Sequence, residues 1–525
     1  MDLPSGPAAS IVCMAIPGIS KSRFTDYMEC PKLGYMSCHR ERFRQLADPL
    51  DWMALHLIGE GNRVGRLARE RFPGGRLVEH IYDLGRARVE TAEAMADERV
   101  GYVFEGAFAC NGLLCRVDVL RKRGGREVDL IEVKAANAVK PDHIGDVAFQ
   151  VGVLEGAGWS VHTAGLMHLN PDYVLPDAAG EADGRRRRGG SLSYDLQSLF
   201  VVEDITEEVG RWRSERLGAL LESMRADLAR TEPPCVPLRN SCRGCPYYRR
   251  VCSVGAPHHP VCELVGIRSE LIAALHDTGI EDLRDVPDDF PGLGDRQRLA
   301  LQAARTGSIA FDREGIRDLS SEVVYPVWFV DFETYMPGLP VHQGMRPWQQ
   351  IPFQWSLHVL DEGGSLRHEE FLRVDGADPR RAFAETLTGA IGNVGYVVVY
   401  SKGMESTRLR ELARDFPDLS DGLLAIDSRI VDLLPIVRGS CYHLDFHGSF
   451  SLKVVTPVLA PHVSYTDLGL KAGTEAMEAY ERIISPSTPD ADKVQLRAQL
   501  LEYCGLDTLA LVEVFRRLLE EMETG

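Results

Sequence analysis

One stretch constrains this chain more than any other: "VYPVWFVDFETYMPGLP", residues 324–340. It is β-branched, aromatic and apolar through Val330, the composition of a buried strand. It then carries two carboxylates, Asp331 and Glu333, one residue apart. Alternate residues of a strand share a face, so both acids point the same way. Two like charges at the end of a core strand repel each other unless they reach solvent or share a cation. Mg²⁺ and Mn²⁺, which prefer oxygen ligands, are the cations such a pair suits.

From residue 324 onward strands and helices alternate. "VWFVDFET", "FQWSLHVL" and "HEEFLRV" are followed by a helix near 380–391, then "GYVVVYS", a helix at 404–416 and a long helix from about 490. That alternation predicts an α/β domain over 321–525. Earlier, residues 20–80 have helical spacing. Residues 100–135 then switch to three short β-rich runs broken by Asn-Gly and Gly-Gly turn signals. A helix around 144–156, a strand at "TAGLMHL" and a helix over 203–230 follow, giving a first α/β domain over 1–262. Residues 263–320 read as a small helical linker, with the helix–Gly–helix cadence of a helix-hairpin-helix module. The segment "DAAGEADGRRRRGGSL", with its basic run Arg185–Arg188, reads as a surface loop.

A length of 525 residues suits about three domains. The absence of a long apolar run predicts no transmembrane helix. The first 20 residues have no basic head and do not read as a signal peptide, so the cytoplasm is the expected location. The formal net charge of −18 argues against a protein that coats nucleic acid non-specifically. It does not argue against a cleft in which bound metal inverts the local field. Of twelve cysteines, Cys235, Cys242, Cys245 and Cys252 crowd one segment and Cys262 follows. In a reducing compartment such clustering points to metal before disulfides.

Near the end of the chain, "LLEYCGLDTLALVEVFRRLLEEM" places Tyr503 and Asp507 four apart on one helical face. Between the two acidic segments lies "GYVVVYSKGMESTRLRELARDFP", a strand followed by a helix that carries Glu405 near its start. An acid-x-acid strand, a later acid, then Tyr-x-x-x-Asp on a terminal helix resembles the DEDD superfamily of 3′–5′ exonucleases, in its tyrosine branch. The resemblance implies an RNase H-like fold. It implies that Asp331, Glu333, Glu405 and Asp507 hold two divalent ions, about 3.5–4 Å apart in such sites, and that Tyr503 positions the attacking water. Glu405 stands where such families usually carry Asp. The stretch "YHLDFHGSFSLKVVTPVL", 442–459, resembles the Ser-Leu-Lys segment preceding the last motif of the superfamily. "GMRPWQQIPFQWSLH" resembles part of an uncharacterised bacterial family with this kind of domain. Its Arg346, Trp348, Gln349 and Gln350 read either as a nucleotide-lining turn or as a rigid loop packed on the sheet. Asp432 reads either as a residue supporting the acids or as an ordinary strand-end Asp.

In the first domain, Asp118 lies in one β-run and Glu132-x-Lys134 in the next, with Glu132 and Lys134 on one strand face. Gln150 follows in a helix. This order resembles the PD-(D/E)XK nucleases of RecB type. It implies Asp118 and Glu132 as metal ligands, Lys134 beside the reacting phosphate, and Gln150 as a further catalytic residue, at the place of that group's Gln motif. The early-helix His of that group is absent from "GNRVGRLARERF", and Glu105 is the candidate ligand in its place. Leu154 stands where a Tyr is common. Cys30, with Cys242, Cys245 and Cys252, resembles the iron–sulfur members of the group. That implies a [4Fe–4S] cluster; a local Zn²⁺ site of the later cysteines is the alternative.

The expectation is thus an α/β protein: a PD-(D/E)XK fold, a helical linker and an RNase H-like domain, together a metal-dependent nuclease acting on DNA, single-stranded ends favoured, with RNA as a further substrate. The alternatives are a non-catalytic nucleic-acid-binding scaffold with one or both sites decayed, and a zinc-containing RNA-processing factor.

Overall fold

The structure, a computed structural model, describes residues 18–176, 192–321 and 323–523, with the side chains of all but 318–321. The Arg185–Arg188 run lies outside the described residues. The architecture is mixed α/β, in two compact units. One is drawn from 18–48, 61–173 and 193–236, the other from 49–60, 174–176, 192, 237–321 and 323–523. Among the described residues no helix is long and apolar enough to cross a membrane.

The first unit is built on a seven-stranded sheet. Its strands are β1 (Ile19–Ser20), β2 (Arg76–Leu77), β3 (Tyr102–Cys110), β4 (Leu113–Gly124), β5 (Glu127–Lys134), β6 (Ser160–Leu169) and β7 (Phe200–Asp204). They run in the order β2-β3-β4-β5-β6-β7, with β1 parallel to β4. The β3–β4 hairpin turns on Asn111 and Gly112, at φ 49° and 77°. Positive φ at both central residues is what a tight hairpin needs, and Asn-Gly supplies it at least cost. Between β5 and the parallel β6 the chain crosses over through the helix Pro141–Gly156. That helix is apolar on nearly every side and is buried accordingly, with Phe149 stacked on Phe24 at 4.7 Å.

The second unit carries β8 (Ala310–Phe311), β9 (Val327–Tyr335), β10 (Ile351–Leu360), β11 (Leu366–Leu372), β12 (Val397–Val399), β13 (Ile430–Asp432) and β14 (Cys441–Tyr442). Five of them form a mixed sheet, β11-β10-β9-β12-β13. β9, β10 and β11 are antiparallel, while β12 and β13 run parallel to β9. Gly395, at φ 94°, precedes β12; a Cβ there would lie 1.8 Å from the Pro326 carbonyl oxygen, so only glycine lets this turn bring β12 beside β9.

β10 is buried along its whole length, yet it alternates. Trp355, Leu357 and Val359 face one apolar cluster. Gln354, Ser356 and His358 face the other way, toward the helix Asp490–Glu523. There Gln354 Nε2 donates to the Leu500 carbonyl at 2.7 Å, and Ser356 Oγ and His358 Nδ1 each lie 2.8 Å from Thr508 Oγ1. Buried polar groups cost little only when paired in this way. β9 pairs with β10 so that Glu333 lies opposite Gln354 and Asp331 opposite Ser356. Cross-strand partners share a face. The two acids therefore point at the same long helix.

The segment expected as a helical linker shares the core of this unit. Leu264 and Leu271, Leu275, Leu283 and Leu301 pack in one cluster with Phe329, Val398, Leu433 and Phe515. The helices Ser269–Asp277 and Asp295–Thr306 are too small to bury their apolar faces alone, which is why they join a larger core. Cys242, Cys245 and Cys252 also belong to the second unit, whereas the sequence reading ended the first domain after them.

Candidate active site

The strand β9, the helix Gly403–Asp415 and the helix Asp490–Glu523 bring four acids together. On the long helix Leu500, Tyr503, Cys504, Asp507, Thr508 and Leu511 are buried at the i, i+3, i+4, i+7 spacing of one face. Asp331, Glu333 and Cys504 each place one ligand atom within 4.8 Å of the other two. Two unit charges at that separation repel by about 3 kcal/mol at an effective dielectric of 20. Burial pushes the carboxyl of Asp331 well above the ordinary range, and the neighbouring Asp507 adds to it. Glu333 is raised by burial, then by Asp331 and Asp507. Glu405 is raised by burial and by Asp331. Burial also raises Asp507, against the pull of Lys453, Tyr465 and Tyr503 beside it. Asp331 and Glu333 are thus close enough to share an ion, while Asp507 and Glu405 are near enough to act on them electrostatically.

Two observations bear on what such a cluster holds. Glu405 Oε2 and Asp507 Oδ1 are buried and accept no hydrogen bond. An orphaned carboxylate oxygen in a group of mutually repelling acids fits a hard divalent ion. Cys504 is a different kind of neighbour. Burial and the surrounding carboxylates hold its pKa high, so it stays a thiol and faces the Asp331 carboxylate, 3.9 Å from Oδ2. Sulfur in that state is a weak donor and not a ligand for Mg²⁺ or Mn²⁺.

Tyr503 is 2 % exposed, and its hydroxyl oxygen accepts a hydrogen bond from Lys453 Nζ. Lys453 also lies 3.7 Å from Asp507 Oδ2 and 4.0 Å from the centre of the Tyr503 ring. Sequence reasoning quoted the Ser-Leu-Lys segment without giving Lys453 a role. Its spacing to Tyr503 carries no period that would have revealed the contact.

Asp432, left open by the sequence, is a loop organiser. Its carboxylate accepts from Ser401 N at 2.8 Å, Lys402 N at 2.9 Å and Leu434 N at 3.0 Å. It caps the helix Leu433–Ser440 and pins the turn that opens the helix of Glu405. Ser401 in that turn has φ 78°, a strained conformation for a residue with a side chain. Asp432→Ala is expected to cost about 2 kcal/mol in denaturant unfolding. An unchanged midpoint would remove Asp432 from this role.

The turn 346–350 is tied into the unit. Gln349 Nε2 donates to Asp415 Oδ2 at 3.0 Å, its Oε1 accepts from Arg346 N at 2.9 Å, and Gln350 Oε1 accepts from Arg408. These bonds match the packed-loop reading of the turn.

In the first unit the residues of the resemblance also converge. Glu132 is almost fully buried. Its Oε1 accepts from Lys21 at 2.7 Å and faces Lys134 at 2.9 Å, and its Oε2 accepts from Gln150 at 2.7 Å. Lys134 also bonds Asp146, which accepts from Thr25 at 3.1 Å. Asp118 accepts from Val133 N at 2.7 Å, and burial and Glu132 raise its carboxyl. Burial alone would raise Glu132 as well, but Lys21 and Lys134 outweigh it and hold Glu132 low. Glu105 and Asp118 fall at the break in the β3–β4 ladder between the pairs Phe104–Val119 and Gly106–Val117, with Glu105 at φ 57°, 3.5 Å from Arg69 and 4.0 Å from Arg116. Lys21 and Asp146 were not foreseen. Asp146 is one helical turn before Gln150, a spacing that would have shown it; Lys21 is 111 residues from its partner, and nothing local points to it.

Cys30 caps the junction of two helices in the first unit; in the second, Cys242 and Cys252 lie in short helical turns and Cys245 ends the first of these. None of these four forms a disulfide.

No curated protein matches the chain. Residues 328–451 match a family described as a domain of unknown function, DUF2779, a span that begins inside β9 and takes in Asp331, Glu333, Glu405 and Asp432.

Proposed function

We propose that the second unit hydrolyses phosphodiester bonds in nucleic acid as a divalent-cation-dependent 3′–5′ exonuclease, on DNA with single-stranded ends favoured and RNA as the alternative. The observation that carries this reading is the electrostatic coupling of four acids from three elements, with Asp331 and Glu333 within ligating distance of each other and one oxygen each of Glu405 and Asp507 unpartnered. Held by Asp331, Glu333, Glu405 and Asp507, Mg²⁺ or Mn²⁺ would polarise the scissile phosphate and lower the pKa of the attacking water. The remaining work falls to side chains. Burial keeps Tyr503 protonated, so it orients rather than abstracts. Because Lys453 donates to its oxygen, the phenol hydrogen is left to hold the water in line. Tyr503→Phe is expected to lower kcat about 100-fold with Mn²⁺ affinity unchanged. End-labelled single-stranded DNA with Mn²⁺ tests this, and an unaltered kcat rules out the role.

For the first unit one observation favours the non-catalytic reading over a second nuclease site. Both oxygens of Glu132 are engaged by Lys21, Lys134 and Gln150, an ion-pair network in which the ammonium groups already supply the positive charge. Full-length Asp331→Asn protein distinguishes the two. Residual hydrolysis that disappears on adding Lys134→Ala supports a second nuclease, and its absence supports the ion-pair network. The iron–sulfur cluster, with zinc as its alternative, is proposed from the resemblance of Cys30, Cys242, Cys245 and Cys252 to the iron–sulfur members of the RecB-type nuclease group. Metal content and the ultraviolet–visible spectrum of anaerobically purified protein test it.

A further inference from the structure

We infer that the second unit carries a separate binding site for Zn²⁺ or a similar transition ion, made by His259, Glu263 and His447 and oriented by His258. One potential ligand atom of each of the three lies within 4.8 Å of the other two. Two ligands of a tetrahedral ion bound at about 2.0–2.1 Å stand about 3.3 Å apart. His259 Nδ1 is 3.2 Å from Glu263 Oε2, and His447 Nδ1 is 3.0 Å from Glu263 Oε1. The two imidazoles lie nearly parallel, their centres 5.1 Å apart. His259 and Glu263 are buried, whereas the His447 side chain is 43 % exposed, which leaves a way in for an ion.

The chemistry of the donors fits. The other nitrogen of His259, Nε2, sits 2.9 Å from His258 Nδ1. If Nε2–H donates there, the lone pair of His259 Nδ1 points at a carboxylate oxygen. Two acceptors facing each other are stable only with a cation between them. A second imidazole that fixes the tautomer of a ligating histidine is the usual outer support of such ions. Arg243 Nη2 also donates to Glu263 Oε1 at 3.0 Å, but a carboxylate has about four acceptor positions and can serve both. Without an ion, the opposite tautomer of His259 would give a plain hydrogen-bonded cluster of His, Glu and Arg. The experiment must separate these two states.

The backbone is shaped around the same point. His447 and Gly448 are consecutive left-handed residues, at φ 47° and 72°. A Cβ on Gly448 would lie 2.5 Å from the Glu263 carbonyl oxygen, so the turn presses directly on residue 263. The ion would clasp the 258–263 segment to the 443–448 turn and so tie the helical segment to the α/β core. None of these residues belongs to the carboxylate cluster of β9, and the inference does not rest on the nuclease reading.

Full-length protein equilibrated with Zn²⁺ and then desalted should retain a zinc equivalent that His259→Ala and His447→Asn each lose. Asparagine tolerates the left-handed backbone, so His447→Asn removes the imidazole and keeps the turn. Cys242→Ser should keep that equivalent, which separates it from any metal held by thiols. His258→Ala should weaken zinc binding by about 10–100-fold. Equal zinc content in folded wild-type and His447→Asn protein would overturn the inference. If the histidine variants do not fold, titrating Zn²⁺ into chelator-treated Cys242→Ser protein decides: a zinc-dependent rise in melting temperature supports the site, and its absence rejects it.

Discussion

Asp331→Asn is expected to lower Mn²⁺-dependent hydrolysis by on the order of 1,000-fold, about 4 kcal/mol in the barrier, while raising the melting temperature of the metal-free protein. Both effects follow from the same crowding. Neighbouring acids raise the carboxyl pKa of Asp331, Glu333 and Glu405 on top of burial, and Asp507 and Asp331 are the chief sources of that repulsion. Asparagine keeps the shape and removes one of the repelling charges. Each pKa unit of strain relieved corresponds to about 1.4 kcal/mol. A gain of about 1–3 kcal/mol is expected near neutral pH, each kcal/mol being worth about 2–4 °C in a unit of this size. The sign with pH is determined. An acid whose folded pKa is raised binds more protons folded than unfolded, so it favours the folded state at low pH. That contribution is lost as pH rises from the ordinary carboxylate range, about 4, through the raised values. Metal-free wild type should therefore lose stability against Asp331→Asn as pH climbs through neutrality, and Mn²⁺ should close the gap. Scanning calorimetry with and without chelator reads this directly. A variant that melts lower than wild type at every pH, and whose hydrolysis of DNA survives the further change Lys134→Ala undiminished, would end the shared-cation account.

Glu132→Gln is expected to be the most destabilising conservative change in the first unit, by about 3–5 kcal/mol. The carboxylate is nearly inaccessible and balances two ammonium groups at 2.7 and 2.9 Å. Glutamine leaves both lysines in the interior without their principal counter-charge. Here the pKa logic runs the other way. Lys21 and Lys134 hold Glu132 below its ordinary value of 4.5, so its contribution is present above that pH and fades as pH falls through the depressed value. The difference between wild type and Glu132→Gln should therefore be full at neutrality and shrink in acid. Lys21→Met should cost much less, because Lys134 and Gln150 keep the carboxylate partnered. If the site takes a divalent ion, the same change should tighten Mn²⁺ binding by freeing one oxygen. Glu132→Gln protein with an unaltered denaturation midpoint would show that the network does not hold the unit together.

How much of this was legible beforehand depended on whether the signal was local. Asp331 and Glu333 declared a shared face because strand periodicity is two residues. Tyr503 and Asp507 did so because helix periodicity places residues four apart together. The Asn111–Gly112 turn was legible because Asn-Gly is a local hairpin signal. Lys453, Lys21 and Cys504 were not, since a side chain's partner across 50 or 111 or 173 residues depends on packing that no period encodes. Asp432 could be read two ways until the Ser401 turn showed what its carboxylate binds.

The amino-acid order by itself therefore determined which elements form and which acids each presents on a buried face, because those follow from backbone geometry over a few residues. Only the tertiary structure decided that the helical segment after residue 260 joins the core of the second unit, that two lysines neutralise Glu132, and that His259 meets His447. Those outcomes depend on burying apolar area between distant segments, and on charges finding partners once solvent is excluded.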